Sequence, residues 1–344
     1  MDEQILKICE RITITDDYKD ALERHQEAHE TSKAVLTISS GLSIMSFICS
    51  SAAFALVVIA MTTKRLPRHK YSIVSSRTLS DSIYSISVIT FSFVANKETA
   101  TFFVLLLFVL CSTFGLIHLG LSHFAIIALK QTNSQNLDCF QFLTLRKLLT
   151  VIVLLWILSA LYCIAFISLA AVIATPKYSI EICTYRACQK PLLIISLCFI
   201  GILAVGCTLY YIAVAQTLRN VYKNEKIYSK VMITRQKLFD FLSYGGHILI
   251  FAITSSFIFI GTAYILKSAW IYDKLRIFNG CQIVNYINAA IRSENLAGAA
   301  VLLYCCRIIL DSVLLIATDP TNFLPWILNR DQKVVTFKLV YCKQ

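Results

Sequence analysis

Apolar residues are grouped along the chain in seven long stretches, with short polar segments between them. Each stretch approaches or exceeds the roughly 20 residues that an α-helix needs to cross the hydrocarbon core of a bilayer. A backbone that faces lipid must satisfy its own hydrogen bonds, so each stretch is predicted to be a transmembrane helix. The predicted spans are residues 34–61, 71–95, 101–129, 148–174, 191–215, 241–266 and 296–323.

The two ends of the chain differ from these spans. Residues 1–33 are rich in charge and lack the apolar core of a signal peptide, so the first span is expected to insert by itself. A short solvated helix is predicted from Asp17 onward in this segment. Residues 324–344 alternate apolar and basic side chains, a pattern typical of an amphipathic helix on a membrane surface. Between the two ends, residues 34–323 are expected to form one seven-helix domain.

Composition and charge support an all-α membrane protein. The chain has 344 residues, of which 57% are hydrophobic and 15% charged, whereas about a quarter of the residues of a soluble domain are charged. The net charge of +12 arises mainly from Lys and Arg between the spans, so they indicate topology rather than a nucleic-acid surface. The positive-inside rule favours an extracellular N-terminus and a cytoplasmic C-terminus, and membrane lipid is the expected surrounding partner.

Charged side chains recur within two of the spans. Arg77 and Asp81 in the second span are echoed by Arg307 and Asp311 in the seventh, each pair at a spacing that puts both side chains on one helix face. Charges at mid-membrane cost about 2.5–3.5 kcal/mol each and require partners within the protein. At about 1.5 Å per residue, Arg77 is expected level with Asp319 and Asp81 near Asp311.

If the second and seventh helices are neighbours, these five groups form one polar network with three acids and two bases. Two interpretations follow, and the sequence leaves both open. The network is either a structural clasp with one protonated aspartate or a switchable site that takes up a proton or a sodium ion. The second interpretation predicts that Asp81→Asn changes the sodium or pH dependence of signalling.

Several motifs resemble those of rhodopsin-like receptors. Residues 79–81 (Leu-Ser-Asp) resemble the Leu-Ala-Asp signature of the second helix, and Trp156 stands where the fourth helix of that family keeps its tryptophan. Residues 319–323 (Asp-Pro-Thr-Asn-Phe) resemble the (Asn/Asp)-Pro-x-x-(Tyr/Phe) end of the seventh helix. In contrast, residues 122–124 (Ser-His-Phe) replace the usual Asp-Arg-Tyr motif, and Cys111 is too deep for the usual disulfide to the second outer loop.

These departures, the abundance of Phe, Tyr and Cys, and the repeated Arg-x-x-x-Asp resemble nematode serpentine chemoreceptors, most closely the SRBC-type or a neighbouring class. The resemblance implies a chemosensory receptor in the ciliary plasma membrane of sensory neurons. It further implies signalling through a heterotrimeric G protein. The resemblance also implies that Ser112 stands where rhodopsin-like receptors have a sodium-coordinating serine, so Asp81 and Ser112 are candidate sodium ligands.

Ligand and coupling surfaces follow from the same resemblance. A pocket between the outer halves of helices three, five, six and seven would be lined near Leu105, Leu106 and Val109, which implies a small, mostly apolar or weakly polar ligand. Arg307 is expected either to pair with Asp311 or to hold an acidic ligand. The candidate residues for G-protein coupling on the inner side are His123, Arg219 and Lys237.

Each coupling candidate also has a plainer interpretation. The basic segment 219–237 suits either a G-protein face or anionic lipid. His123 is either an inner-face switch or an ordinary helix-end histidine.

The cysteines outside the spans are candidates for disulfides. Cys183 and Cys188 are close enough in sequence to bridge locally, and Cys9 is a candidate partner of Cys281 across the outer face. Extracellular segments permit such bonds, although spacing alone does not determine the connectivity.

No catalytic constellation, metal motif or cofactor motif is evident in the sequence, so an enzyme is not expected. The alternative function is a seven-span ligand-gated ion channel or a transporter, because intramembrane charges also mark ion pathways. Transporters of known architecture contain repeats and pairs of broken helices, and neither is evident here.

Overall fold

The computed structural model describes residues 16–64, 66, 68–96, 99–135, 145–174, 184–224, 228–277 and 283–318, and within these residues the chain is all-α. The helices are α1 (Asp16–Thr62), α2 (Arg68–Val94), α3 (Ala100–Leu110, a π-helical turn at Cys111–Gly115, and Leu116–Gln135), α4 (Leu145–Ala174), α5 (a π-helical turn at Tyr185–Gln189, then Lys190–Asn224), α6 (Tyr228–Ile277) and α7 (Ile283–Thr318).

Six of these helices are long and apolar enough to cross a membrane, so the chain is a multi-pass membrane protein. The six segments are Glu30–Thr62, Ala100–Ala128, Lys147–Ile164, Tyr185–Asn220, Phe241–Ile271 and Ile287–Thr318. The remaining helix, α2, coincides with a predicted span but is less apolar, because it carries eight serines beside Arg77 and Asp81. Many large apolar side chains on the outside of the bundle are exposed, as expected of a surface that faces lipid.

Helix α3 lies at the centre of the bundle and contacts each of the other six helices. Its first part, Ala100–Leu110, packs mainly on α1, α4 and α7, and its last part, Leu116–Gln135, packs mainly on α2, α4, α5 and α6. Around it, α1 packs on α2 and α7, and α6 packs on α5 and α7. We call the end of the bundle where the α1 span begins the N-terminal end, and the end where α7 stops the C-terminal end.

Small residues on one face of α1 allow it to approach both neighbours closely. Two serine hydroxyls of this seam bond across the helix interfaces: Ser46 Oγ donates to the carbonyl of Cys305 (3.0 Å), and Ser50 Oγ lies 2.9 Å from Ser82 Oγ. Small residues and side-chain hydrogen bonds are common means of packing helices within a membrane. The buried residues of the seam are Ser39, Ser43, Ser46, Ser50, Ala53, Val57 and Ala60.

Two apolar clusters fill the interior, one in each half of the bundle. The cluster toward the N-terminal end includes Phe108, Phe251 and Tyr304, and the cluster toward the C-terminal end includes Ile73 and Phe241. Buried charged side chains of α2, α6 and α7 lie where the two clusters approach each other.

Several predicted boundaries were wrong or lie outside the described residues. The short helix predicted from Asp17 is not separate, because α1 runs without a break from Asp16 to Thr62. Helix α7 begins at Ile283 rather than at residue 296, since its first turns are polar and carry little hydropathy signal. The amphipathic helix predicted in residues 324–344 lies outside the described residues.

Candidate functional site

A buried network of charged side chains joins α2, α6 and α7. Arg307 is its centre: Nη1 donates to Asp311 Oδ2 (3.0 Å) and to Asp81 Oδ2 (3.3 Å), and Nη2 donates to Asp81 Oδ1. On the other side of Asp311, Oδ1 lies 2.7 Å from Nδ1 of His247 in α6. The order of contacts is therefore Asp81, Arg307, Asp311 and His247, and we call these four residues the charge network.

All four side chains of the charge network are buried, so their charges need partners within the protein. The Arg307 side chain is 0% exposed, and the three partners are buried as well. An unpaired charge in such a place is costly, and removal of one partner from a buried pair typically costs several kcal/mol. The contacts of Arg307 with Asp81 also connect α2 to α7, two helices that otherwise have few residues in contact.

An aromatic layer covers Arg307. The guanidinium carbon lies 4.4 Å from the centroid of the Tyr304 ring, a geometry that gives a cation–π attraction. Tyr304 in turn packs edge to face on Tyr84 of α2, with ring centroids 4.7 Å apart. The Tyr304 hydroxyl lies against Gly115, the last residue of the π-helical turn in α3, where a Cβ atom would collide with it. The charge network thus touches the central helix through Tyr304.

A second polar contact links α3 to α6 beside the network. His123 Nδ1 is hydrogen-bonded to the hydroxyl of Tyr244, and the Tyr244 and His247 rings have centroids 5.4 Å apart. His123 is fully buried and lies twelve positions before Gln135, where α3 ends. Its role as an inner-face coupling residue stays a prediction, and α3 continues for three further turns beyond it.

A third polar contact ties α4 to the same region. Trp156 Nε1 donates to Ser76 Oγ (2.8 Å), and this oxygen lies 3.5 Å from Nε2 of His118 in α3. The His118 and Trp156 rings also pack together, with centroids 5.0 Å apart. Trp156 therefore acts as a hydrogen-bond donor between α4 and α2.

The five residues of the predicted polar network divide into three groups. The structure brings Asp81, Arg307 and Asp311 together, so α2 and α7 meet through charge as the sequence suggested. Arg77 is buried, but its Nε and Nη1 have no hydrogen-bond partner among the described residues. Asp319, its predicted partner, lies outside the described residues.

The sodium hypothesis needed a surplus of negative charge next to Ser112. Within the described residues, two aspartates face two arginines, and both oxygens of Asp81 accept hydrogen bonds from Arg307. Ser112 instead donates to the carbonyl of Val109 (3.1 Å) in its own helix. The described residues also contain no group of three or more His, Cys, Asp or Glu that would hold a metal ion. Asp319, the third acid of the predicted network, lies outside the described residues, so the sodium hypothesis stays a prediction.

The residues predicted to contact a ligand are packed within the bundle. Leu105 and Val109 belong to the apolar cluster toward the N-terminal end, and Leu106 packs against it. Arg307 is enclosed and engaged by two carboxylates, so the expectation that it holds an acidic ligand is not supported by this geometry.

The other predicted site residues include an exposed side chain, a disulfide-bonded cysteine and several that lie outside the described residues. Arg219 is exposed near the C-terminal end of α5, and the side chain of Lys237 is outside the described part of the chain. Cys188 is disulfide-bonded, whereas Cys9, Cys183 and Cys281 lie outside the described residues.

Sequence reasoning missed His247, Tyr244 and His118. A histidine within an apolar span is an ionisable group at membrane depth, and such groups are functional candidates by default. That signal was present for His247, which lies within the apolar segment Phe241–Ile271.

Searches against protein-family models and against curated proteins find no match to this chain.

Proposed function

We propose that the protein is a seven-span chemosensory receptor that binds a small organic molecule and signals through a heterotrimeric G protein. In this proposal α2 also crosses the membrane, which brings the number of spans to seven. The N-terminus is extracellular and the C-terminus is cytoplasmic. The receptor acts in the plasma membrane of a sensory cilium, as the resemblance to nematode chemoreceptors implies. It performs no catalysis.

The observation that carries this proposal is the charge network at the centre of the bundle. It joins α6 to α7 through His247 and Asp311, and α7 to α2 through Arg307 and Asp81. A receptor must convert a ligand contact at one end into a helix movement at the other, and such transitions use packed contacts that have two discrete arrangements. A small number of buried charged contacts between helices meets that requirement.

Helix α6 is the element that this network restrains. Two side-chain bonds tie it to neighbouring helices in the interior, one from His247 to Asp311 and one from Tyr244 to His123. If one of them is lost, α6 depends more on its packing against α5 and α7. Release of α6 at the C-terminal end is therefore the proposed signalling movement.

The experiment measures ligand-independent G-protein activation in cells that lack endogenous Gα subunits, with and without a re-expressed promiscuous Gα. His247→Leu should raise basal activation by about threefold or more per receptor at the cell surface, because a loss of about 1.5 kcal/mol in the restraining contact shifts the helix equilibrium by roughly tenfold. Thr254→Val is the matched control: Thr254 is also buried in α6, but within the described residues its hydroxyl bonds to the carbonyl of Ile250 in its own helix (2.8 Å) and to no other helix.

Two results would overturn the proposal. One is equal basal activation for His247→Leu, Thr254→Val and the unmodified receptor at matched surface expression. The other is a ligand-evoked current in the cells without Gα, which would favour a ligand-gated channel, the competing function for a bundle with intramembrane charges.

A further inference from the structure

A cavity of about 360 Å³ lies between α6 and α7 at the N-terminal end of the bundle. It is separate from the charge network and from the three leucine and valine positions predicted to contact a ligand. Its walls are the last turns of the apolar segment Phe241–Ile271 and the first turns of α7. The lining residues are Tyr264, Lys267, Trp270, Ile271, Asn285, Asn288, Ala289 and Arg292.

The spacing of the lining residues shows that one face of each helix forms the cavity. On α6 they recur at intervals of three, from Tyr264 through Lys267 to Trp270, and on α7 Asn285, Asn288 and Arg292 recur at three and four. Both helices carry these polar residues at the ends of their membrane segments, where a cavity can open to water. Its volume is at the lower end of the range of about 300–1,000 Å³ that small-molecule sites occupy.

The charge of the cavity is positive and is not neutralised within the described residues. Lys267 and Arg292 are both exposed, and no carboxylate forms part of the lining. The acid nearest in α6, Asp273, instead faces Arg186, with Nε and Oδ2 4.0 Å apart. Glu294 is buried two positions after Arg292, so it lies on another face of α7.

The uncharged residues that line the cavity indicate the chemistry of the uncharged part of a ligand. Trp270 and Tyr264 offer aromatic faces, and the Trp270 ring already attracts one cation, because Lys274 Nζ lies 4.0 Å from its centroid. Ile271 and Ala289 are apolar and buried, and the amides of Asn285 and Asn288 can donate hydrogen bonds. Such a lining matches an aromatic or aliphatic body that carries one anionic group.

We propose that this cavity binds a small organic acid, with its carboxylate held by Lys267 and Arg292 and its apolar body against Trp270 and Tyr264. The guanidinium of Arg292 can pair with both carboxylate oxygens, and Lys267 supplies a second positive charge. Binding of the acid requires no G protein. The inference rests on the proposed function only where it takes the bound acid to be the signal that the receptor detects. It narrows the ligand of the proposed receptor to carboxylates.

The test uses the full-length protein in phosphatidylcholine nanodiscs and a panel of arylalkyl carboxylates, namely phenylacetate, phenylbutyrate and indoleacetate. Each acid is compared with its neutral amide, which has nearly the same shape. At least one acid should bind saturably and at least about tenfold more tightly than its amide, the factor that a charge-assisted contact provides. Lys267→Gln and Arg292→Gln should each weaken binding of that acid by about tenfold.

Matched variants separate a binding defect from a folding defect. Lys267→Arg keeps the charge and should retain binding, and Lys190→Gln removes an exposed charge of α5 at the same end of the bundle without touching the cavity. Absence of saturable binding by every acid in the panel overturns the inference. Equal affinity for acid and amide, or unchanged binding in the Lys267→Gln and Arg292→Gln double variant, overturns it as well.

The outcome for this site and the outcome for the proposed function are distinguishable. Saturable acid binding without G-protein activation in the same nanodiscs would leave the site intact and remove the proposed function. Activation by a neutral molecule, together with no binding of the acids, would leave the receptor and remove the site.

Discussion

The two buried arginines differ in what their guanidinium groups contact, although their sequence contexts are nearly the same. Arg307 bonds to two aspartates and lies over Tyr304. Arg77 is equally buried, but its Nε and Nη1 lack hydrogen-bond partners among the described residues. The cost of removing each side chain should therefore differ.

We expect Arg307→Met to lower the free energy of unfolding by about 3–5 kcal/mol, because it leaves Asp81 and Asp311 buried without their cation. Arg77→Met should lower it by less, about 1–2 kcal/mol, because Arg77 attracts Asp311 and Asp81 electrostatically while its Nε and Nη1 donate no hydrogen bond within the described residues. Thermal or denaturant unfolding of both variants in one detergent measures the difference. Equal losses would contradict the prediction and indicate a strong partner for Arg77, such as Asp319.

For individual residues, the sequence predicted which helix faces carry the charges and part of the pairing between them. The spacing of four between Arg307 and Asp311 correctly placed both on one face, and the pairing between them follows from it. Counting depth from the helix ends placed Asp81 near Asp311, and in the structure both carboxylates accept a hydrogen bond from Nη1 of Arg307. The count did not predict the direct pair of Arg307 with Asp81. That count assumed that both helices end at one level, which hydropathy does not determine.

Helix α3 is the element on which the rest of the bundle packs, and its π-helical turn fits against α7. The turn ends at Gly115, whose missing side chain leaves room for the Tyr304 hydroxyl. Hydropathy predicted the helix but could not predict the π-helical turn at Cys111–Gly115, because hydropathy separates membrane from water and does not separate α-helix from π-helix.

We expect Gly115→Ala to destabilise the protein by about 1–3 kcal/mol, the usual cost of adding a methyl group to a packed interior. The new Cβ would displace Tyr304 and with it the ring that covers Arg307. Gly206→Ala on α5 is the control, because nothing lies within 4 Å of a Cβ at that position. Thermal unfolding of the two variants in the same detergent tests this prediction, and equal stability would contradict it.

For the whole molecule, apolar length predicted an all-α membrane bundle, and the structure agrees with six of the seven spans by that same criterion. Helix α2 forms where expected, but its serines and charges make it the least apolar of the seven. The extent of α7 was underestimated, because its first turns are held by burial of Ile287 and Ala289 rather than by overall hydropathy. The contacts of α3 with six helices depend on tilt and rotation, which the sequence pattern does not specify.

Whether α2 crosses the bilayer determines the topology of everything that follows it, and single cysteines at its two ends give a direct test. Thr63 precedes α2 and Asn96 follows it, and both are exposed. If α2 is a span and the N-terminus is extracellular, Asn96→Cys should react with a membrane-impermeant maleimide on intact cells. Thr63→Cys should then react only after permeabilisation.

The unmodified protein, which carries all thirteen native cysteines, is labelled in parallel, and its signal is subtracted as background. Labelling of both variants on intact cells, or of neither, would mean that α2 does not cross. Labelling of Thr63→Cys alone would reverse the orientation. In that case the cavity between α6 and α7 would open to the cytoplasm, and an acid added outside the cell could no longer reach Lys267 and Arg292 from the aqueous side.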